Sequence, residues 1–164
     1  MIQSDIFDSI NMKIKKITNT ILLFIAKRLT EIFGFLILFS GILLFVSLIS
    51  YSPEDPNFIF PENTDIKNIL GFRGSYVSDL FFQSIGLISY LFSLTLIFTG
   101  LNITLSKDFF LIIENIFYSI LYLLFGSLFF NYFYNTTFAL FINGNGGFIG
   151  SYLNEKLFLN LIML

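Results

Sequence analysis

Three stretches of this chain, each long enough to cross a lipid bilayer, carry no charged residue, and this limits the available folds more than any other feature. They are Ile32 to Ser50, Leu80 to Ser106 and Asn115 to Tyr134. A hydrocarbon core is about 30 Å thick and a helix rises about 1.5 Å per residue, so roughly 20 apolar residues make one crossing. In lipid, every backbone polar group needs an internal partner, and a helix provides one within a single segment. The composition agrees: 55% of residues are hydrophobic and 12% charged, against about 25% charged in an ordinary globular domain. So few charges could not cover a soluble surface. The expected fold class is all-α, a polytopic membrane helical bundle. Complete spans are expected at about 29–50, 80–105 and 112–134. A fourth helix is expected to start near 148 and run to 164, which makes it truncated or interfacial.

The missing residue types exclude several function classes. There is no cysteine and no histidine, so disulfides, thiol nucleophiles, Cys/His zinc sites and a histidine general base are all ruled out. The scattered serines and lysines assemble no nucleophile–base pair, so no enzyme, no catalytic residue, no cofactor and no metal site is expected. A net charge of -2 gives no basis for nucleic-acid binding, which depends on clustered Lys and Arg. Asn143-Gly144-Asn145-Gly146-Gly147 looks like a phosphate-cradling loop, but it lacks the following Gly-Lys-Ser/Thr. It reads as a glycine turn, and no ATP binding is expected.

Basic residues set the orientation. Lys13, Lys15, Lys16, Lys27 and Arg28 precede the first span, whereas Lys67 and Arg73 in the next loop are offset by Glu54, Asp55, Glu62, Asp65 and Asp79. The positive-inside rule then places the N-terminus in the cytoplasm and loop 51–79 in the periplasm. No small-residue cleavage site follows the first span, so it reads as retained. In the cytoplasmic lead-in, 1–28, Ile6, Ile10, Ile14, Ile17 and Ile21 recur at helical spacing beside Lys13 and Lys16. Two readings stand: a basic amphipathic helix on the anionic inner leaflet, or a polar lead-in whose lysines only fix topology.

The first span ends in Tyr51-Ser52-Pro53-Glu54-Asp55-Pro56. Tyr51 suits the headgroup level. Pro53 lacks an amide hydrogen and disfavours helix at Ser52, so the span stops. Glu54 and Asp55 are expected to hold the exit in water, and Pro56 to stiffen the turn. Further on, Asp65 to Gly71 reads as one short amphipathic turn with a terminal glycine, and Gly74-Ser75 as the start of the second helix, with Ser75 as its cap. Asp79 and Gln83 lie one turn apart. They could hold an ion, but the favoured reading keeps Asp79 at the interface and lets Gln83 bond a neighbouring helix. Gly34 and Gly41, Gly86 and Gly100, and Gly126 fit either a tight bundle or a dimer face. Glu114, at a helix N-terminus, is explained by the helix dipole.

In this order, several motifs resemble the four-helix membrane region at the N-terminus of FtsK-type bacterial DNA translocases. They are Ser50 to Pro56, Asn68-Ile69-Leu70-Gly71, Gly74-Ser75-Tyr76-Val77-Ser78-Asp79, Leu80-Phe81-Phe82-Gln83 with Gly86, and Gly146-Gly147-Phe148-Ile149-Gly150. The resemblance implies an inner-membrane anchor at the division septum. Its partners would be the lipid bilayer, other division proteins and further copies of itself. The family's linker and ATPase motor are not in this sequence, so the chain alone is expected neither to hydrolyse ATP nor to pump DNA. A fragment and a separately encoded membrane part both remain open. The interaction or structural motif implied comprises Tyr51, Ser52, Pro53, Asp55, Pro56, Gly71, Gly74, Asp79, Gln83, Gly146, Gly147 and Gly150. The alternative is a small transporter or channel subunit, with Asp79, Gln83, Asn102, Asn131 and Glu114 lining a path. Transport usually sets ionisable groups near mid-membrane, and both of these acids fall at helix ends.

Overall fold

Nothing between Ile2 and Ile49 stops a helix: the stretch has no proline, and its two glycines face a partner helix. The computed structural model describes residues 2–56, 65–134 and 143–162, and in it α1 runs unbroken over Ile2–Ile49. After it come α2 (Gly71–Ile85), a 3-10 turn (Gly86–Ile88), α3 (Ser89–Ser106), α4 (Leu111–Phe133) and α5 (Gly147–Ile162). No strand occurs among the described residues. Three segments are long and apolar enough to cross a membrane: Asn11–Ile49, Gly71–Ser106 and Leu111–Phe133.

α1 and α3 pack antiparallel along their lengths through small residues. A Cβ on Gly34 would lie 2.7 Å from the Thr104 backbone nitrogen, one on Gly41 2.8 Å from that of Ile97, and one on Gly100 2.7 Å from the Gly34 oxygen. Any side chain there would push the two helices apart, so these glycines serve the bundle. α4 returns alongside α3, with Asn115 Nδ2 donating to Thr99 Oγ1 (2.9 Å) and the Tyr122 hydroxyl to Thr95 Oγ1 (2.9 Å). Large apolar side chains such as Phe35, Phe39, Phe98, Phe117 and Phe125 point outward. In water they would form an aggregating surface; in a bilayer they meet acyl chains.

Charge marks one end of the bundle. Arg28 pairs with Glu31 at 2.6 Å, and Lys107 approaches the same carboxylate at 3.9 Å. Asp108 Oδ1 accepts the Phe110 amide (3.0 Å) as α4 begins, and Glu114 lies in the first turn of α4. From Glu31 to Ile49 the helix rises about 27 Å, one bilayer core. Beyond Glu31 the chain extends toward its N-terminus as continuous helix, with residues 11–28 exposed on every side. It contains no break at which it could turn onto a membrane surface.

The second span departs from the sequence reading in two ways. Helix begins at Gly71, whose amide also closes the turn from Asn68 (N–H to Asn68 O, 2.8 Å). This residue thus both ends that turn and opens α2, three residues ahead of the expected start at Gly74. The segment is then interrupted at Gly86, a stretch expected to be one uniform helix. Gly74 and Asn68 contact Ser47, while Asp79 and Phe82 contact Tyr51, so α2 packs against the last turns of α1. Its far end meets α4 and the start of α5. α5 has 16 residues, about 24 Å of helix, and begins one residue ahead of the expected start.

Candidate functional site

The end of α1 exposes carbonyls that have no partner within the helix, and the sequence after it supplies them. The Ser50 amide and hydroxyl both donate to Val46 O (3.1 and 2.7 Å). Asn68 Nδ2 donates to Ser47 O at 2.9 Å. Leu48 O accepts the Tyr51 amide (3.3 Å) and the Tyr90 hydroxyl (3.2 Å). Ser52 and Asp55 close a turn, Asp55 N–H to Ser52 O at 3.2 Å, with Pro53 at the position that favours its fixed φ.

That turn aims Asp55 inward. Its carboxylate oxygens accept the Lys67 and Asn68 amides, each at 2.9 Å, and the residue is only 3% exposed. The expectation that Glu54 and Asp55 together hold the exit in water is therefore corrected for Asp55: two otherwise unsatisfied backbone donors draw it under the returning chain. Glu54 stays at the surface, paired with Lys67. This partnership lowers the Glu54 pKa and raises that of Lys67. Asn68 also turns its Oδ1 to the Leu70 amide (3.0 Å) and so prepares the start of α2.

Ser75 was expected to cap the second helix. It is instead a buried residue inside α2, its hydroxyl donating to Pro56 O at 2.9 Å; the residue before the helix is Leu70, with no side-chain cap. Gly74 gives its carbonyl to the Ser47 hydroxyl (2.6 Å). A Cβ on Gly74 would run into the Asn68 side chain and lie 2.5 Å from Leu70 Cβ. Close approach therefore dictates this glycine. Gly71 differs: its φ is +67° with no atom near a notional Cβ, so its requirement is conformational. Tyr51 completes the latch. Its hydroxyl donates to Asp79 Oδ1 (3.2 Å) and its ring packs on Phe82, centroids 4.8 Å apart. Burial, and then the Asp79 carboxylate, push the Tyr51 phenol well above its ordinary pKa.

A second knot joins the break after α2 to the turn before α5. Gly86 ends α2 with φ +68°, and Leu87 N–H donates to Asn145 O at 2.9 Å. A Cβ on Gly86 would overlap that same Asn145 carbonyl, and one on Gly147 would sit 2.5 Å from Gly86 N. Gly146 and Gly150 both press on the Ser127 carbonyl of α4, and Ser127 Oγ donates to Ile85 O (3.0 Å). Asn131 donates to Ser151 Oγ (3.3 Å) and accepts from Asn154 (2.8 Å). Asn143 Nδ2 reaches Gln83 O and Oε1 at 3.1 and 3.2 Å. Gln83 thus bonds the glycine turn, not a neighbouring helix.

The twelve motif residues therefore fall into two groups: Tyr51, Ser52, Pro53, Asp55, Pro56, Gly71, Gly74 and Asp79 at the end of α1, and Gln83, Gly146, Gly147 and Gly150 around Gly86. Asp79 and Gln83 take different partners and do not form a pair. Ser47, Asn68, Ser127 and Asn145 carry as many bonds, yet sequence reasoning gave them no role. For Ser47 and Ser127 the signal was isolation, since a polar residue inside an apolar run needs a partner; Asn68 and Asn145 lie in polar loops and gave no such signal. Among the described residues no group of three Asp or Glu could hold a metal. The residues of a transport path are dispersed: Asn102 and Glu114 are exposed toward the charged end, whereas Asp79, Gln83 and Asn131 lie near the latch and the knot.

The family described as the 4TM region of DNA translocase FtsK/SpoIIIE matches residues 26–161. A protein of Azospirillum brasilense named DNA translocase FtsK is 33% identical over 87 residues, covering 52% of this chain and 14% of that relative. The chain thus spans about one seventh of that relative's length. No solved structure matches it. Length, apolarity and kinship agree on a multi-pass inner-membrane protein.

Proposed function

The chain belongs to the 4TM-region family of FtsK/SpoIIIE DNA translocases, and from that premise we propose that it is the anchor and interaction module of a translocase acting at the division septum, without motor activity of its own. The observation that carries the reading is where the polar side chains go. Asp55, Asn68, Ser75, Asp79, Ser127 and Asn131 are buried, and each bonds another part of the same chain. They fix the helices to one another and, among the described residues, leave no line of polar groups through the bundle for a solute. What remains for partners is the outer faces of the helices, the covered end of α1, and the helical extension before Glu31.

In this reading the N-terminus lies in the cytoplasm beside Lys13, Lys15 and Lys16, and the latch faces the periplasm. A cysteine at Ile69, an exposed position, reacts with a membrane-impermeant thiol reagent on spheroplasts, whereas one at Lys15 does not. Neither ATP hydrolysis nor duplex DNA binding is expected, because the sequence has no phosphate loop and no basic cluster of the kind DNA binding needs. A fluorescent fusion of the chain gathers at mid-cell in dividing cells. Uniform membrane fluorescence in cells with an intact division apparatus would overturn the septal role.

A further inference from the structure

A groove between α1 and α2 lies beside the latch and shares Ser47, Leu70 and Gly74 with it. Its volume is about 470 Å³, and its walls are apolar: Leu43 and Leu44 from α1, Val77 and Phe81 from α2, and Leu96 from α3. Arg73 is its charged lining residue. From Ser47 to Ser40, both of which line it, the groove descends about 10 Å along α1. Its mouth is at the level where the span ends, and its floor lies at acyl-chain depth. Leu43 and Val77 are exposed, so in a bilayer the groove opens sideways to lipid.

Arg73 differs from three cations near the ends of the bundle that have a carboxylate partner. Lys67 is paired with Glu54, Arg28 with Glu31, and Lys107 lies near Glu31. Arg73 is exposed and has no ion pair or hydrogen bond with any described residue. A guanidinium at headgroup height matches a phosphate, to which it can donate two parallel bonds. The apolar slot beneath it fits a hydrocarbon chain. We propose that this groove binds one anionic glycerophospholipid, its phosphate on Arg73 and one acyl chain along Leu43, Val77 and Leu96. A zwitterionic lipid would bring an ammonium toward Arg73 and lose part of the attraction. A free phosphate would leave the apolar walls unfilled. The inference rests on α1 and α3 crossing the bilayer, not on any role in division.

The test uses the full chain, delipidated in detergent and titrated with phosphatidylglycerol or phosphatidylcholine, with bound lipid counted by native mass spectrometry. The expected result is one retained phosphatidylglycerol, bound about tenfold more tightly than phosphatidylcholine, as one charge-assisted contact would give. Arg73→Gln should bring the two lipids within about twofold of each other, and Arg73→Lys should restore part of the preference. Val77→Trp, which fills the slot from an exposed position, should weaken retention of both lipids. Melting temperatures of the variants serve as the folding control. Equal retention of the two lipids by the unaltered chain would overturn the proposal, as would an undiminished preference in Arg73→Gln. Full retention in Val77→Trp would reduce the site to a surface cation and overturn the groove. Displacement of phosphatidylglycerol by equimolar polyprenyl phosphate would overturn the choice of a glycerophospholipid.

Discussion

The turn after α1 and the knot after α2 solve the same problem with a different balance of means. Each must satisfy backbone groups where a helix stops close to lipid, and an unpaired group there costs several kcal/mol. After α1 the missing partners are side chains: Asp55 takes two amides, Asn68 takes a carbonyl and an amide, and Ser50 and Tyr90 take carbonyls. After α2 side chains also take carbonyls, Ser127 that of Ile85 and Asn143 that of Gln83. The Leu87 amide, however, meets the Asn145 carbonyl directly, and the backbones come that close because Gly86, Gly146, Gly147 and Gly150 have no side chain. The first region therefore depends on chemistry and should respond in steps to what replaces its residues. The second depends on space, and any added atom meets the same obstacle.

The largest effect is expected at the knot. Gly86→Ala adds a Cβ against the Asn145 carbonyl and also forces a non-glycine residue to φ +68°. Strain and overpacking together should cost roughly 2–6 kcal/mol, read as loss of the cooperative melt in detergent. A normal melt would show that Asn145 can move aside and that the knot is not held by space. Next comes Asp55→Ala, which leaves two amides without acceptors and should destabilise by roughly 2–4 kcal/mol. Asp55→Asn keeps one good acceptor and should recover about half of that. Glu54→Gln, one residue away but at the surface, should leave the melting temperature unchanged. If Glu54→Gln and Asp55→Asn behave alike, charge at the exit matters and the buried latch does not.

The glycines of the latch sharpen the contrast within one region. Gly74→Ala collides with the Asn68 side chain and Leu70 and should cost about 1–3 kcal/mol. Gly71→Ala meets open space and bears only the left-handed backbone penalty, about 1–2 kcal/mol, which Gly71→Asn should reduce. A larger loss at Gly71 than at Gly74 would reverse this assignment. Of the changes expected to destabilise, the smallest is Tyr51→Phe, about 1 kcal/mol for the bond to Asp79. It carries a pH signature. The folded phenol pKa is raised above the ordinary value near 10, so the folded state favours the neutral form. Its contribution is complete below that value and declines as pH rises above it, because the unfolded tyrosine ionises first. Tyr51→Phe should flatten the alkaline fall in stability above about pH 10.

Legibility differed between the two regions for reasons that follow from their construction. The stop after Ile49 was visible because Pro53 acts on its own neighbours. The burial of Asp55 was hidden, since an acid beside a proline exit reads as solvated until Lys67 and Asn68 fold back over it. Gly74 was read as part of the start of the second helix, whereas the structure assigns it a close approach to Asn68. The break at Gly86 left no local sign: one glycine in an apolar helix is tolerated, and its cause lies in the turn before α5. The stripe of Gly34, Gly41 and Gly100 was seen as a packing face without its partner, which proves to be α1 against α3.

The sequence by itself determined that this chain forms helices in lipid and where the first of them stops, because charge-free length and proline act over a few residues. Tertiary structure decided which polar groups meet. The Asp55 carboxylate finds its amides 12 and 13 residues away, the Ser127 hydroxyl its carbonyl 42 away, and Asn143 reaches Gln83 across 60. A hydrogen bond needs its partners within about 3 Å, and over such separations only the packing of the helices sets that distance.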